Sequence, residues 1–328
     1  MQILHRLVAA SVMLCAVAVV CSAAQPLTMT PFASMQIPQS KGKFDFLRID
    51  AKRHRLLAAH ENDGTADFFD LRKKELITRV KVGGAVDTAV DSDSKLYYVS
   101  VQEAQRVAIV DATTLKEVRS VKTPGPTDAI IYQPKNHMVY VTHDDGADVW
   151  VIDPTTAKIT ATVAIPGVPE FMVFDAVTDR IYLNIKTKDL VAVIDPASNK
   201  VVAQWRTAPA LQPHGMAFDA DNHRIFVAGG NGKLSIIDTK TGLVADSIDI
   251  VPKVDQIAFD PAGGLVYCAG ADRMSVVRVA AAKAVSLGDF PTAATARNVA
   301  VDPDTHAVWT TFTDGTNSFA KAWLPPQP

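Results

Sequence analysis

Cysteine is scarce in this sequence, and the chemistry that depends on cysteine motifs is correspondingly limited. The 328 residues contain three cysteines, Cys15, Cys21 and Cys268, and no Cys-x-x-Cys pair. This excludes a covalently attached c-type haem and a paired-thiol zinc or redox motif. A noncovalent haem or a quinone needs no such motif, so the sequence leaves the cofactor content unknown.

Other motifs of catalysis and of nucleic-acid binding are missing as well. No Gly-x-Ser-x-Gly elbow and no Gly-rich phosphate loop occur, so a serine hydrolase of that type and a phosphate or dinucleotide enzyme are not favoured. The 33 Lys and Arg residues are balanced by 35 Asp and Glu. Because no basic run stands out, we expect no nucleic-acid partner.

Long apolar runs are limited to one at the start of the chain. A run at 7–20 that is apolar apart from Ser11 follows a short polar start with a single positive charge, and small residues follow it at 22–24. A run of about 14 residues is short for a membrane span, which needs roughly 20. The pattern therefore predicts a signal peptide over 1–24, cleaved near Ala24, and a periplasmic or secreted mature chain.

Removal of the signal peptide leaves Cys268 as the only cysteine, so no intramolecular disulfide is possible in the mature chain. A lipoprotein acylated at Cys21 is the alternative to simple cleavage. That signal requires a small residue before the cysteine, and Val20 stands there. No second long apolar segment follows, and we expect no membrane span in the mature chain.

A repeat accounts for the rest of the sequence. A short apolar run ending in a polar residue recurs every 41 to 44 residues, at Asp50, Asp91, Gln133, Asp175, Asp219, Asp260 and Asp302. The position seven residues later reads Leu57, Tyr98, Tyr140, Tyr182, Phe226, Tyr267 and Trp309. Two columns that agree over seven copies indicate a repeat protein. We interpret the Asp column as turn chemistry and the aromatic column as packing between repeats.

Each copy reads as four short strands separated by turn-forming residues. In the third copy these are 129–132, 138–142, 147–152 and 158–165. Helical periodicity is absent, and a period near 42 with four strands per unit is typical of a β-propeller blade.

The last copy supplies only three strands, at 298–301, 307–313 and 318–323. Residues 33–38, near the start of the chain, match the fourth-strand pattern at 161–166. We therefore predict an all-β, seven-bladed β-propeller of four-stranded antiparallel blades, with the last blade closed by the N-terminal strand. Residues 25–328 form its single domain.

The second strands resemble the repeat that names the YVTN family of β-propellers. Tyr140-Val141-Thr142, Tyr98-Val99-Ser100 and Tyr182-Leu183-Asn184 carry the resemblance. It implies an exported seven-bladed propeller, related in shape to the haem d1 domain of nitrite reductases, without a catalytic set common to the family. The sequence departs from the motif where the final Asn is replaced, by His143, Val101 and His60 in three copies.

A ring of ionisable residues is the sharpest functional signal in the sequence. The position five residues before the Asp column begins each innermost strand and reads Asp45, Val86, Asp128, Glu170, His214, Asp255 and Arg297. In strands that are otherwise apolar, charge at one level predicts a binding site at one mouth of the central channel. The alternative is that these charges are simply solvated.

Two further histidines end second strands and are expected to face the same side. His60 and His143, together with His214, offer imidazole ligands for a divalent metal or an acid/base pair. With no recognised catalytic constellation, we favour a module that binds a small-molecule ligand or a partner protein over an enzyme. The alternatives are a metal-assisted hydrolase or lyase on the same face, or an accessory protein of a periplasmic redox system.

Overall fold

The structure is a computed structural model that describes residues 27–40, 42–91, 93, 95–270, 272–280 and 283–326. The predicted signal peptide and its alternative lipid site at Cys21 lie outside these residues. Within the described part, the backbone forms 28 strands in seven four-stranded antiparallel sheets and two 3-10 turns, Ala51–Arg53 and Lys186–Lys188. No helix in this part is long and apolar enough to cross a membrane.

The strands follow the chain blade by blade, after a first strand, β1 (Thr30–Ile37). Blade 1 contains β2 (Leu47–Asp50), β3 (Arg55–His60), β4 (Thr65–Asp70) and β5 (Glu75–Lys81). Blade 2 contains β6 (Ala85–Asp91), β7 (Leu96–Val101), β8 (Arg106–Asp111) and β9 (Lys116–Lys122). Blade 3 contains β10 (Thr127–Gln133), β11 (Met138–His143), β12 (Asp148–Asp153) and β13 (Lys158–Ala164). Blade 4 contains β14 (Pro169–Asp175), β15 (Arg180–Ile185), β16 (Leu190–Asp195) and β17 (Lys200–Arg206).

The remaining blades complete the ring. Blade 5 contains β18 (Pro213–Asp219), β19 (Arg224–Gly229), β20 (Lys233–Asp238) and β21 (Leu243–Asp249). Blade 6 contains β22 (Gln256–Asp260), β23 (Leu265–Ala269), β24 (Arg273–Val279) and β25 (Ala284–Pro291). Blade 7 contains β26 (Ala300–Val301), β27 (Val308–Thr313) and β28 (Ser318–Leu324), with β1 as its outermost strand. The predicted fold class, with seven blades of four strands, is confirmed.

Packing between neighbouring blades explains the aromatic column of the repeat. Each large side chain of that column, Tyr98, Tyr140, Tyr182, Phe226, Tyr267 and Trp309, is almost completely buried. They belong to hydrophobic clusters, most of which join residues of two adjacent sheets. The core of a propeller is therefore distributed between blades, and each blade depends on its neighbours for burial.

Ring closure takes the form that the sequence predicts. The N-terminal strand β1 pairs antiparallel with β28 from Thr30 opposite Leu324 to Ile37 opposite Ser318. Just after β1, the hydroxyl of Ser40 donates a hydrogen bond of 3.0 Å to that of Ser318. The two ends of the chain thus share one sheet, and β28 is paired along both of its edges.

The polar column fixes the turns at the opposite end of the channel from the ionisable ring. The carboxylate of Asp175 accepts hydrogen bonds from the backbone N–H groups of Val177 (2.8 Å) and Thr178 (3.2 Å). Gln133 replaces Asp in one copy, and its side-chain oxygen accepts from Lys135 and Asn136 in the same way. These contacts match the turn interpretation of the column.

The innermost strands contact one another around the ring and line the central channel. In blade 7 this strand is shorter than the predicted 298–301, because the side chain of Asn298 accepts the N–H of Thr311. The Gln256 amide accepts the N–H groups of Leu47 (3.0 Å) and Val299 (3.2 Å). Side-chain amides in the channel thus replace backbone ladder bonds where three inner strands meet.

Candidate functional site

All seven positions of the predicted ring line one cavity at one end of the channel. The cavity has a volume of about 180 Å³, and its wall contains Asp45, Val86, Asp128, Glu170, His214, Asp255 and Arg297. They meet because each occupies the same register at the start of an innermost strand, and the closed ring places these strands side by side. We call this cavity the acidic well.

Four further residues that the predicted site does not include line the acidic well: Lys43, Phe46, Gln102 and Asp144. Lys43 precedes Asp45 by two residues, whereas Gln102 and Asp144 follow the second strands of blades 2 and 3. At the exits of the second strands, the predicted site residues are the histidines His60 and His143, with Asp144 noted as a carboxylate beside His143. A search for any polar residue directly after a second strand identifies Gln102 and Asp144 from the sequence.

Glu170 is the most fully paired carboxylate of the well. It forms an ion pair with Lys186, at the end of β15, and its second oxygen lies 3.4 Å from Nδ1 of His214. Burial alone raises the pKa of Glu170, but the hydrogen bond and charge of His214, with Lys186, outweigh it and hold the pKa below its usual range. The same contact with Glu170 overcomes burial and raises the pKa of His214, which favours the imidazolium form.

The other carboxylates of the well have partners too, with one exception. Asp255 lies 3.3 Å from Nη2 of Arg297. Asp45 pairs with Lys43 at 3.2 Å, and Gln102 donates to Asp144. Burial, followed by the charge of Asp255, raises the pKa of Asp45 to about 7 despite its lysine partner.

Asp128 is the exception. Its relative accessible surface is 8%, and among the described residues it has neither a hydrogen-bond nor an ion-pair partner. Burial raises the pKa of Asp128 well above its usual range, and the charges of Glu170, Asp45 and Asp144 add to this effect. An unpaired carboxyl group that is nine-tenths buried, on the wall of a cavity, lacks the cation that such groups normally have in proteins.

Two aromatic side chains lie between the acidic well and the cavity at the other end of the channel. Phe46 lies in the wall of the well and packs edge-on against Phe171, with ring centroids 5.0 Å apart. Phe171 lines the cavity at the other end of the channel, where the Arg48 guanidinium lies 4.3 Å from its ring centroid. Arg48 pairs with the buried carboxylate of Asp87 at 2.6 Å. Phe46 and Phe171 therefore stand between the acidic well and the cavity at the other end of the channel.

His60 does not reach the well, contrary to the expectation that it faces the ring. Its side chain is fully buried in blade 1, where Nδ1 lies 2.9 Å from the Asp67 carboxylate and the ring stacks on Phe44 at 3.7 Å. Arg79 contacts Asp67 at 3.2 Å and also pairs with Asp63. The contacts of Nδ1 and of the ring face hold the imidazole inside the blade, while the buried Nε2 has no hydrogen-bond partner among the described residues.

His143 is likewise absent from the lining of the well. Its ring stacks on Trp150 with centroids 4.7 Å apart, and it occupies the space that side chains at Gly125 and Gly146 would fill. The structure therefore corrects the predicted convergence of His60 and His143 with His214. Within the described ranges, no group of three His, Cys, Asp or Glu side chains is spaced to hold a metal ion.

Comparisons with known proteins identify the fold. No protein-family model and no curated protein matches the sequence. Among solved structures, a chain of the hydrazine synthase of Kuenenia stuttgartiensis is similar at 16% identity, with a TM-score of 0.72 over 92% of this chain and 98% of that one.

Two further solved structures have the same shape. A chain of the mitotic checkpoint complex aligns with a TM-score of 0.79 at 12% identity, over 98% of this chain and 99% of that one. The WD40 repeats of RRP9 align with a TM-score of 0.76 at 8% identity, over 90% and 99%. At these identities the likeness establishes a WD40-like seven-bladed β-propeller and no particular activity.

Proposed function

We propose that this protein is an exported ligand-binding propeller of the YVTN type, whose acidic well receives a positively charged group of its ligand. The observation that carries this proposal is Asp128, a buried carboxyl group that has no hydrogen-bond or ion-pair partner among the described residues. A bound cation supplies the charge and the hydrogen bonds that this carboxylate lacks. Such a contact is stronger at a buried carboxyl group than at an open surface.

The pairing pattern favours an organic ammonium group. The other four carboxylates of the well already have partners: Lys43, Gln102, Arg297, and the pair of Lys186 and His214. One free carboxylate matches a single monovalent head group, whereas a divalent metal requires several oxygen ligands at once. An ammonium group donates three hydrogen bonds without a fixed coordination geometry.

Two features of the sequence support export and the YVTN type. The apolar run at 7–20 with small residues at 22–24 has the form of a cleavable signal, and the Tyr-Val-Thr pattern of the second strands is that of the YVTN repeat. Secretion of the full-length chain with loss of its first 24 residues, determined by N-terminal sequencing, tests the first of these directly.

Binding of a simple amine tests the ligand proposal. Isothermal titration calorimetry of residues 25–328 with phenethylamine measures the affinity, and 2-phenylethanol is the uncharged analogue. We expect the amine to bind and Asp128→Asn to weaken it by about tenfold or more, because a charge-assisted hydrogen bond is lost. Asp249→Asn, at a carboxylate that is 80% exposed on β21, is the matched control.

Three outcomes contradict the proposal. Equal binding of the amine and the alcohol shows that charge is not recognised. Unchanged amine affinity in Asp128→Asn removes the assigned carboxylate from the site. Titration of calcium and zinc chloride in place of the amine covers the predicted metal-dependent alternative, and tight metal binding that is lost in Asp128→Asn replaces the ammonium assignment.

A further inference from the structure

A second, larger pocket opens beside the acidic well on the same face. Its volume is about 670 Å³, and it lies between loops of blades 5, 6 and 7 and the segment that precedes blade 1. Lys43, His214 and Arg297 line both cavities and form the wall between them. We call this second cavity the side pocket.

The acidic well and the side pocket differ in the charged residues that line them. Five carboxylates line the acidic well, whereas the described residues that line the side pocket include no Asp or Glu. The side pocket instead has Lys253 in addition to the three shared cationic residues. The carboxylate partners of Arg297 and His214 lie in the acidic well, and Lys43 pairs with Asp45 and Glu61. Lys253 therefore gives the side pocket its positive charge without an ion pair among the described residues.

Two of its cations retain unused hydrogen-bonding capacity. Nε of Arg297 is buried and has no hydrogen-bond partner, and its guanidinium has one ion pair, with Asp255. Lys253 is exposed, and its side chain has no hydrogen-bond or ion-pair partner among the described residues. Its backbone N–H donates to the carbonyl of Gly230 at 3.2 Å and anchors the loop that presents the ammonium group.

Size and wall chemistry favour an organic ligand over a bare ion. Small-molecule sites in proteins have volumes of about 300–1,000 Å³, and this pocket falls within that range. Val254 and Ala294 contribute apolar groups to the lining, and Gly230 has no side chain to occupy the pocket. A planar guanidinium with free donors binds a carboxylate in a bidentate manner.

We propose that the side pocket binds the carboxylate of an organic acid, with the apolar part of the molecule against Val254 and Ala294. Arg297 and Lys253 donate to the carboxylate, and protonated His214 adds charge from the shared wall. This inference goes beyond the cation site in the acidic well and does not require that site to be occupied.

Titration with 4-phenylbutyrate tests the side pocket, with 4-phenylbutan-1-ol as the uncharged analogue of the same length. We expect the acid to bind and the alcohol to bind much more weakly. Arg297→Gln and Lys253→Gln should each reduce the affinity for the acid by about tenfold, the low end for a charge-assisted hydrogen bond at a partly exposed site. Lys158→Gln, at an exposed lysine on β13, is the matched control.

A steric variant tests the same pocket without a change of charge. A Cβ at Gly230 meets its nearest neighbours at 3.7 Å and 3.8 Å, which is ordinary contact, and its backbone needs no left-handed conformation. Gly230→Leu should therefore fold normally, fill part of the side pocket and abolish binding of the acid. Far-ultraviolet circular dichroism and the urea midpoint confirm that each variant is folded.

The outcomes separate this inference from the proposal for the acidic well. Asp128→Asn should leave phenylbutyrate binding intact, even if it abolishes binding of the amine. Equal affinity for acid and alcohol overturns the inference, as does an affinity that survives Arg297→Gln, Lys253→Gln and Gly230→Leu. Loss of acid binding in Lys158→Gln to the same extent also overturns it, because the effect is then one of overall charge.

Discussion

Asp128 and Glu170 occupy the same register in neighbouring blades, yet their pKa values shift in opposite directions. Both are carboxylic acids on an innermost strand and both are nearly buried. Glu170 has Lys186 and His214 beside it, so its pKa falls below the usual range. Asp128 has carboxylates as neighbours, so burial and repulsion raise its pKa. Neighbouring charge therefore decides which of two equivalent acids is available to a ligand.

Neutralising substitutions at Asp128 and Glu170 should change the free energy of unfolding in opposite directions. A raised folded-state pKa means that the contribution of Asp128 to stability is complete below its unfolded pKa of about 3.9 and is lost as the pH rises through the folded value. At pH 8.5, Asp128→Asn should therefore raise the free energy of unfolding, by roughly 1–3 kcal/mol for removal of a buried unpaired group. Near pH 4 the two proteins should be about equal.

Glu170→Gln is the matched comparison at the equivalent position. Its depressed pKa means that the ionised side chain stabilises the fold above its unfolded pKa, and this contribution is lost as the pH falls through the folded value. Glu170→Gln should therefore lower stability at pH 8.5, again by roughly 1–3 kcal/mol. Urea unfolding at both pH values measures the differences. Changes of the same sign in the two variants contradict the assigned environments.

At the scale of the element, β1 performs a different task from the other strands at the blade edges. Each of the other outer strands is joined to its neighbour by a short turn, whereas β1 reaches β28 from the opposite end of the chain. Its inward side chains Met35 and Ile37 enter the cluster between blades 7 and 1. Burial of these two side chains holds the ring closed.

Truncation of one closing side chain should cost more than truncation at an ordinary edge. Ile37 is fully buried, so Ile37→Ala should lower the free energy of unfolding by about 2–5 kcal/mol. Val118→Ala, at a 52% exposed position on the outer strand β9, should change it by less than about 0.5 kcal/mol. Urea denaturation monitored by tryptophan fluorescence compares them. Similar losses in the two variants would show that β1 does not close the ring.

At the scale of the whole molecule, the seven blades form a ring in which each inner strand contacts those on both sides. Strand β2 contacts β6 in the next blade and β26 in the last one. The hydrophobic clusters follow the same order around the ring. Removing any segment therefore exposes two blade faces and separates β1 from β28.

We predict that neither half of the propeller folds by itself. A fragment of residues 27–207 contains the first four blades and β1, but it lacks β28, and its end faces are exposed. It should show no cooperative urea transition, and the same holds for residues 208–328. Circular dichroism of the two fragments, alone and mixed, measures this. A cooperative transition in either isolated fragment contradicts the single domain predicted for residues 25–328.

The sequence alone determined the repeat, the strand number and the closing strand, because these depend on local periodicity and on turns that recur along the chain. It also placed the ring residues at one level of the channel, because equivalent positions of each repeat come to the same height when the blades form a closed ring. His60 could not be placed from sequence, because its burial depends on Asp67 and Phe44, which only the folded blade brings to it.

Only the tertiary structure decided which charges are paired, because pairing depends on contacts between side chains that are far apart in the sequence, within one blade or between two. Lys186 neutralises Glu170 from within blade 4, and Arg297 reaches across to Asp255, while Asp128 remains alone among the described residues. The acidic well and the side pocket share a wall of cationic residues, and the carboxylate partners of Arg297 and His214 lie on the well side of it. The two cavities therefore differ in charge. The sequence shows which residues are charged, whereas the folded ring determines their positions and therefore the electrostatic potential in each cavity.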